Sequence, residues 1–309
     1  MKCLVTGGAG FIGSHISEAL VGRGDDVTVV DNLSTGSLGN LYDFEDKITF
    51  VQGDIRDFDL MKDVTRGVDL IFHEAAVASV AKSVEDPVET DAINVGGTVS
   101  VLTAAKENQV KKVVFASSAA VYGDDPKLPK KENMTPQPKS PYAFHKLAGE
   151  YYLQLFHHLY GLPAVALRYF NIFGPRQDPS SEYSGVISIF MDRFKQKAKY
   201  TIYGDGEQSR DFVFVADVVR ANLAAAAKEF DHVPVINVAC NRVNSLLQLV
   251  TNLQEISGSA MAPQFGPERL GDIKHSRADN GRLRNLLEVV PEVKFRDGLE
   301  RLWQSLSGV

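Results

Sequence analysis

The chain has 309 residues, of which 44% are hydrophobic and 23% are charged, so it is long enough for one large core or two connected lobes. Its formal net charge of −6 provides no general basic surface for nucleic acid. An anionic ligand would therefore need local positive groups.

Targeting and metal-binding signals are sparse in the chain. The first predicted strand begins at Lys2, which leaves no room for a signal peptide, and no apolar run approaches the length of a membrane span. Cys3 and Cys240 each fall within a predicted strand and indicate neither a disulfide framework nor a zinc site. We therefore expect a cytoplasmic protein with no metal, no nucleic-acid partner and no membrane contact.

A glycine-rich turn opens the chain. The apolar run 2–6 is followed by glycines and then by a helical apolar pattern, the glycines being Gly7, Gly8, Gly10 and Gly13. Such glycines permit a tight turn and let the backbone approach a pyrophosphate at a helix N-terminus. The next predicted strand ends at Asp31, eighteen residues after Gly13, where an acid can hold a ribose hydroxyl. This order predicts a dinucleotide site, and the acid favours NAD over NADP because it repels a 2′-phosphate.

Strand-like and helix-like runs alternate along the first 170 residues. After the first two strands, the predicted strands are 48–52, 69–73, 112–117 and 163–169. The predicted helices between them lie near 58–66, 89–107 and 140–159. This alternation predicts an α/β fold with a doubly wound parallel sheet of the Rossmann type, which we assign to a domain of residues 1–174.

The pattern loosens after about Gly174. Helices are predicted near 185–197, 217–228 and 245–256, and residues 263–276 read as a loop. We expect residues 175–309 to form a smaller C-terminal α/β lobe that binds the substrate across a cleft, with some exchange of strands and helices between the lobes.

Tyr142 and Lys146 lie four residues apart on a predicted helix, so the phenol and the ammonium share one face. A free tyrosine has a pKa of about 10 and is a poor base at neutral pH. A neighbouring cation favours the phenolate, so the pair can serve as a general base for an alcohol proton. The spacing is common by chance, and the dinucleotide fingerprint upstream makes it informative.

Three further segments suggest cofactor contacts. Asp54 follows the third predicted strand, where it could accept the adenine amine or simply form a turn. Ala75 and Ala76 follow the fourth strand, and small residues are needed where a dinucleotide lies against the backbone. Asn94 lies in the next predicted helix, where we favour a structural bond from its side chain to backbone across the sheet.

Together these motifs resemble the extended short-chain dehydrogenase/reductase family, and within it the UDP-glucose and UDP-N-acetylglucosamine 4-epimerases. The resemblance covers nearly the whole chain and rests on segments 6–13, 31–36, 117–123, 140–146, 167–171 and 204–211. It implies an NAD-dependent UDP-hexose 4-epimerase that acts by transient oxidation at C4′. In that reaction Tyr142 removes the hydroxyl proton, the hydride passes to NAD⁺, and the 4-keto sugar rotates before it takes the hydride back.

The resemblance also implies the residues of the site. The catalytic residues would be Ser118, Tyr142 and Lys146, with Lys146 lowering the tyrosine pKa. The cofactor would contact Gly7, Gly10, Phe11, Ile12, Gly13, Asp31, Asn32, Ser34, Thr35, Gly36, Asp54, Ile55, Ala75, Ala76, Asn94, Ser117, Tyr142, Lys146 and Tyr169. The UDP-sugar would contact Ser79, Ser118, Tyr142, Asn171, Val186, Tyr203, Arg210, Arg269, Asp272 and Ser276.

Three positions bear on the choice of substrate. Ala119 and Ala120 stand where related dehydratases carry an acid pair and related decarboxylases a glutamate, which disfavours both reactions. Ser276 stands where sugar-restricted epimerases carry a bulky tyrosine, so we expect N-acetylated as well as plain UDP-hexoses; a plain loop residue is the alternative. Epimerases restricted to UDP-glucose or acting on UDP-uronates, a 4-keto reductase and a non-catalytic NAD sensor remain open alternatives.

The predicted helices 89–107 and 140–159 carry apolar residues beyond one face: Ile93, Val95, Val99, Val101, Leu102, Leu147, Tyr151, Leu153, Leu155 and Phe156. In the family the equivalent helices pair across a two-fold axis, so we expect a homodimer. The alternative is that the chain's own second lobe covers both helices.

Overall fold

The computed structural model of the protein describes residues 1–178, 185–268 and 274–307. The strands are β1 (Lys2–Thr6), β2 (Asp26–Asp31), β3 (Ile48–Gln52), β4 (Leu70–His73), β5 (Lys112–Ser118), β6 (Ala164–Tyr169), β7 (Asn171–Phe173), β8 (Thr201–Tyr203), β9 (Ser209–Arg210), β10 (Phe212–Phe214), β11 (Val235–Val238), β12 (Asn244–Ser245) and β13 (Gln264–Gly266). The helices are α1 (Phe11–Gly22), α2 (Phe58–Val64), α3 (Val80–Glu85), α4 (Pro87–Asp91), α5 (Gly97–Glu107), α6 (Pro141–Tyr160), α7 (Val186–Gln196), α8 (Val215–Ala227), α9 (Leu246–Ser257), α10 (Gly281–Leu286) and α11 (Phe295–Ser307).

Seven of the described strands form one parallel sheet in the order β11-β6-β5-β4-β1-β2-β3. The strand order reverses between β1 and β4, so the loops after these two strands leave in opposite directions and open a crevice at the carboxyl edge. The predicted doubly wound Rossmann fold is confirmed.

Helices cover both faces of the sheet, and the central strands are correspondingly apolar. β6 is buried at every position and β5 at every position except Ser118. One face packs against α1 and α8, through residues such as Ile16 and Val218. The other face packs against α2, α5 and α6, through residues such as Leu102 and Leu153.

A third core lies in the C-terminal part of the chain. It joins Phe173 with the apolar faces of α7, α9 and α11, for example Phe194, Leu249 and Leu302. β11 forms an edge of the main sheet and α8 packs on a face of the same sheet, although both come from the part of the chain after residue 174. Among the described residues, no helix is long and apolar enough to cross a membrane.

Three local predictions need correction. The helix predicted at 89–107 consists of α4, a π-type turn at Ala92–Gly96 and α5. The loop predicted at 263–276 contains β13, which pairs with β8, a partner too distant in sequence for local periodicity to reveal. Cys240 follows β11 instead of lying within it, and its backbone N–H donates to the carboxylate of Asp211 at 2.8 Å.

Helix α6 packs closely on β5 at Gly149. The Ser140 hydroxyl caps the helix by accepting from the backbone N–H of Ala143 at 3.2 Å, and Gly161 ends it in the left-handed conformation. A Cβ at Gly149 would lie 2.4 Å from Cζ of Phe115, so only glycine permits this approach. The first turn of α6 is thereby held against the end of β5.

A buried ion pair reinforces this contact. Arg168 on β6 donates to both carboxylate oxygens of Glu150 on α6, at 2.8 and 2.7 Å, and the Ser117 hydroxyl donates to the same carboxylate at 2.5 Å. Glu150 and Arg168 are only 2% and 3% exposed, so neither charge has water as an alternative partner.

We expect Glu150→Gln to lower the free energy of unfolding by about 3 kcal/mol, because it leaves the buried Arg168 guanidinium without a counter-charge. Glu107→Gln, in an exposed pair with Lys62, is the matched control and should cost less than about 1 kcal/mol. Chemical denaturation measures both variants. Equal, small losses would contradict the structural importance assigned to the buried pair.

Candidate active site

A cleft of about 400 Å³ lies at the carboxyl edge of the sheet, where the glycine turn meets the ends of β2, β3 and β4. Many of the predicted cofactor residues line it: Gly7, Gly10, Phe11, Ile12, Gly13, Asp31, Asn32, Ser34, Thr35, Asp54, Ile55, Ala75 and Ala76. The cleft is therefore where the sequence places the dinucleotide.

The glycine turn brings backbone from two strands together at the floor of this cleft. Gly7 has φ +68°, and a Cβ there would lie 2.7 Å from the backbone nitrogen of Ala75. Helix α1 begins directly after Gly10, so the amides of its first turn are at the cleft wall. The arrangement suits a pyrophosphate, which needs close backbone approach and N–H donors.

Asp31 has a structural as well as a predicted ligand role. The side chain is buried, and its two oxygens accept from the backbone N–H groups of Ala9 at 3.0 Å and Leu33 at 2.8 Å. Gly36 packs against the same carboxylate, since a Cβ there would lie 2.8 Å from Oδ1 of Asp31. Asp31 thus fixes the position of the glycine turn relative to the loop after β2.

The far end of the cleft contains a charge cluster that was only partly predicted. Asp54 accepts from Asn32 at 3.1 Å and from Arg56 at 2.9 Å, and Arg56 also donates to Glu89 at 2.9 Å. Hydrogen bonding to Arg56 lowers the pKa of Asp54 to about 2, so it remains a carboxylate acceptor. Arg56 and Glu89 were missed because they lie 33 residues apart and meet only in the fold.

Asn94 lies within the π-type turn and connects it to the cleft wall. Its side chain accepts from the N–H of Val77 at 2.8 Å and donates to the carbonyl of the same residue at 3.1 Å. The bond is to backbone, as favoured from the sequence, but it reaches the loop after β4 and not the sheet itself. Val77 lines the cleft, so the π-type turn supports the site through Asn94.

The structure brings the three predicted catalytic side chains together. Ser118 ends β5, and its hydroxyl accepts from the backbone N–H of Ala120 at 3.1 Å. It lies near enough to the Tyr142 phenol, in the first turn of α6, to influence the pKa of that phenol. The backbone N–H of Tyr142 donates to the Ser83 hydroxyl at 3.0 Å, and the Lys146 ammonium donates to the carbonyl of Ala116 at 2.7 Å. The trio therefore occupies the junction between β5 and α6.

The electrostatics of this trio differ from the sequence expectation. Burial raises the pKa of Tyr142, the nearby Glu74 charge raises it further, and the bond with Ser118 acts in the opposite direction. Lys146, expected to lower this pKa, is not a cause of the shift: its ammonium is directed to Ala116, and burial lowers its own pKa. The phenol is accordingly protonated near neutral pH in this structure.

Glu74 is the second acidic residue that sequence reasoning missed. It directly follows β4, lines the cleft, and accepts a hydrogen bond from the Tyr169 hydroxyl at 2.9 Å. The signal was available, because an acid immediately after a fully buried parallel strand lies at the carboxyl edge of the sheet. Ser117, by contrast, donates its hydroxyl to Glu150 and is not among the residues that line the cleft.

Three of the predicted substrate residues lie around β9. The Arg210 guanidinium donates to the carbonyl of Ser209 at 3.0 Å, and the N–H of Ser276 donates to the same carbonyl at 3.0 Å. The Asn171 amide donates to the carbonyl of Asp211 at 3.2 Å. Arg210, Asn171 and Ser276 are thus held by one short stretch of backbone.

The other predicted substrate residues are more dispersed. Val186 begins α7, Tyr203 ends β8, and Ser79 is buried and caps α3 by accepting from the N–H of Lys82 at 3.0 Å. Arg269 and Asp272 lie outside the described residues. Their roles and that of Ser79 remain predictions.

Known proteins share both the sequence and the fold of this chain. The UDP-glucose 4-epimerase of Mycolicibacterium smegmatis is 41% identical over 310 residues, covering 97% of each chain. The UDP-N-acetylglucosamine 4-epimerase of Methanobrevibacter ruminantium, solved with UDP-N-acetylmuramic acid, is 40% identical with a TM-score of 0.95, covering 99% of this chain and 98% of that one. The UDP-glucose 4-epimerase of Thermus thermophilus, solved with NAD, is 38% identical with a TM-score of 0.89, covering 100% of each.

The family model agrees with these similarities. It matches residues 3–239, which include the glycine turn, the cleft and the Ser118–Tyr142–Lys146 trio. The chain belongs to the NAD dependent epimerase/dehydratase family.

Proposed function

We propose that the protein is an NAD-dependent UDP-hexose 4-epimerase. The observation that carries the proposal is the placement of Ser118, Tyr142 and Lys146 at the sheet edge that also forms the dinucleotide cleft. Oxidation of an alcohol needs both a hydride acceptor and a proton acceptor. The predicted NAD site and the predicted base lie at the same edge of the sheet. The names of the relatives from M. smegmatis, M. ruminantium and T. thermophilus support the reaction class.

NAD fits the cleft residues. The glycine turn has no room for a Cβ beside Ala75, so its bare backbone is open to a pyrophosphate. Asp31 lines the cleft where a ribose would be held. Asp54 stays ionised and can accept a hydrogen bond. Arg56 is already engaged by Asp54 and Glu89, so the acidic cleft disfavours the additional phosphate of NADP. When bound, NAD⁺ supplies a hydride acceptor and a positive charge that favours the nearby phenolate.

The chain's own residues would handle the proton. Tyr142 would accept the proton of the sugar 4′-hydroxyl and return it, and the nearby Ser118 hydroxyl acts to lower the pKa of this phenol. Lys146 would hold the nicotinamide ribose, with its ammonium kept in place by the Ala116 carbonyl. Ala119 and Ala120 follow Ser118 without an acid, so elimination of water or loss of a carboxylate has no general acid at this position.

The sugar is proposed to include N-acetylated hexoses. Ser276 is half-buried and bound to the β9 backbone next to Arg210, whose guanidinium matches a UDP phosphate. A serine there leaves room at C2 that a tyrosine would fill. The name of the M. ruminantium relative supports this range of substrates.

A homodimer is also proposed, through an apolar stripe on the outer face of α6. Phe144, Tyr151, Leu155 and Leu159 are 56%, 52%, 49% and 60% exposed, and their spacing of seven, four and four places them on one helical face. Several residues expected on this surface are instead buried in the chain's own core: Val101, Leu102, Leu147 and Leu153. The exposed apolar surface is therefore narrower than the sequence suggested. We assign it to contact with α6 of a second copy of the chain.

A cytoplasmic location completes the proposal. Cys3 and Cys240 are both free thiols, and burial raises the pKa of each to about 12, so neither is poised to form a disulfide. Free thiols are typical of proteins in reducing compartments.

We expect Tyr142→Phe to reduce turnover of UDP-glucose by about 10²-fold or more while NAD binding is retained, because the variant lacks only the proton acceptor. Tyr152→Phe on the same helix is the control and should keep nearly full activity. Product analysis of the 4-epimers and calorimetric titration with NAD measure the two effects. Near wild-type turnover by Tyr142→Phe would refute the proposed base.

The choice of sugar is tested at Ser276. The wild type should interconvert UDP-N-acetylglucosamine with UDP-N-acetylgalactosamine and also UDP-glucose with UDP-galactose, since a roomy pocket excludes small groups poorly. Ser276→Tyr should abolish most activity on the N-acetylated pair only, whereas Ser276→Ala should spare both. Equal losses on both pairs would assign Ser276 to folding, and a wild type inactive on N-acetylated sugars would restrict the enzyme to plain hexoses.

Assembly is tested on the α6 stripe. The wild type should sediment as a dimer at micromolar concentration, and the double variant Leu155→Asp, Leu159→Asp should sediment as a monomer because it places charges in the apolar contact. Val290→Asp changes an exposed apolar residue elsewhere and should leave the dimer intact. A monomeric wild type would overturn the proposal.

A further inference from the structure

Asp211 is a fully buried carboxylate beside the residues to which we assign the UDP-sugar. It directly follows β9, which ends at Arg210, and it precedes β10. The residue is 0% exposed. A buried carboxylate is costly unless hydrogen bonds compensate for its lost hydration. The groups that donate to this carboxylate therefore indicate which parts of the chain it holds together.

Two backbone N–H groups from different segments donate to the Asp211 side chain. Cys240, in the loop after β11, donates to Oδ1 at 2.8 Å. Ala278, in segment 274–280, donates to Oδ2 at 3.2 Å. Because each carboxylate oxygen accepts from a different segment, the side chain holds both segments against the end of β9.

The main chain of Asp211 extends these contacts to β7. Its carbonyl accepts from the backbone N–H of Asn171 at 3.3 Å and from the Asn171 side-chain amide at 3.2 Å. The next residue, Phe212, pairs with Asn171 in the parallel ladder of β10 and β7. Asp211 thus contacts Asn171 through its main chain and segment 274–280 through its side chain.

Backbone contacts also align segment 274–280 with β9. The N–H of Ser276 donates to the carbonyl of Ser209 at 3.0 Å. Two residues further along the segment, the bond from Ala278 to Asp211 forms a second attachment. Ser276 is therefore held between a bond to the β9 backbone and a bond to the buried carboxylate.

The Asp211 side chain is ionised above neutral pH. Burial raises its pKa to about 6, and the backbone N–H groups of Ala278 and Cys240 oppose that rise. At about pH 8 the side chain therefore accepts both N–H groups as a carboxylate.

We propose that Asp211 is a positioning residue for the UDP-sugar, which fixes Arg210, Asn171 and Ser276 relative to one another so that they contact the same ligand. Because Asp211 is fully buried, it acts through these residues and does not touch the ligand itself. The inference deepens the proposed function, since it rests on the UDP-sugar binding beside β9.

Asp211→Asn tests the proposal because it keeps the shape of the side chain and removes its charge. One acceptor oxygen becomes an NH₂ donor, which faces a backbone N–H and repels it. The attached segments should then shift relative to β9, and the KM for UDP-glucose should rise about tenfold. The kcat and the NAD affinity should stay within about twofold of the wild type, since Tyr142 and the cofactor cleft belong to other elements.

Asp217→Asn is the matched control. Asp217 on α8 is also buried, and its carboxylate accepts from the backbone N–H groups of Glu292 and Val293, both at 3.1 Å. The two variants lose the same kind of buried contact, so both should lower the midpoint of chemical denaturation. Only Asp211→Asn should raise the KM for UDP-glucose.

Steady-state kinetics at about pH 8, calorimetric titration with UDP and with NAD, and chemical denaturation measure these effects. A variant that is merely partly unfolded loses kcat at an unchanged KM, whereas displaced binding residues raise KM at an unchanged kcat. Ser209→Ala removes a side-chain bond to Nδ1 of His275 at 2.9 Å and loosens the same contact between β9 and segment 274–280. It should raise KM by a smaller factor, and it serves if Asp211→Asn does not fold.

An unchanged KM and UDP affinity in Asp211→Asn, or an equal rise of KM in Asp217→Asn, would overturn the proposal. An unchanged KM in Ser209→Ala would do so if Asp211→Asn does not fold. A wild type that binds UDP but has no epimerase activity would instead refute the proposed function. Calorimetry with UDP would still compare the variants in that case, so the two failures are distinguishable.

Discussion

The close packing of α6 on β5 is the constraint on which the site depends. Glycine at 149 lets the helix approach the Phe115 ring, and the buried pair of Glu150 and Arg168 holds the helix to the next strand. These contacts bring Tyr142 to Ser118 and direct Lys146 to the β5 backbone. If α6 were displaced by the width of one side chain, the Tyr142 phenol would move away from the Ser118 hydroxyl that lowers its pKa.

A second set of buried polar contacts aligns the cofactor side of the cleft with this junction. His73 ends β4 and bonds Thr6 of β1 at 2.7 Å and Thr98 of α5 at 2.9 Å. Burial lowers the pKa of His73 to about 3, so it links the three elements as a neutral ring. The glycine turn after β1 and the acid after β4 are consequently fixed relative to each other, and Glu74 is held at the wall of the cleft.

The sequence predicts the features that are local or periodic. Most of the parallel strands, the glycine turn, Asp31 and the Tyr142–Lys146 spacing follow from runs of a few residues. In the structure the glycine turn and Asp31 line the same cleft at the carboxyl edge of the sheet. Contacts between distant segments could not be read in this way. The Arg56–Glu89 pair and the Tyr169–Glu74 bond join residues 33 and 95 positions apart. The direction of the Lys146 ammonium likewise depends on a backbone carbonyl 30 residues upstream.

The central claim is that the sugar is oxidised and reduced at C4′ within one closed site. UDP-glucose carrying deuterium at C4′ tests it most directly, with the protein and NAD⁺ in ordinary water. The account predicts that UDP-galactose forms with the deuterium retained at C4′, since the hydride returns from the cofactor to the same carbon. Loss of deuterium to solvent during epimerisation would contradict the account, because it would require proton exchange at carbon instead of hydride transfer.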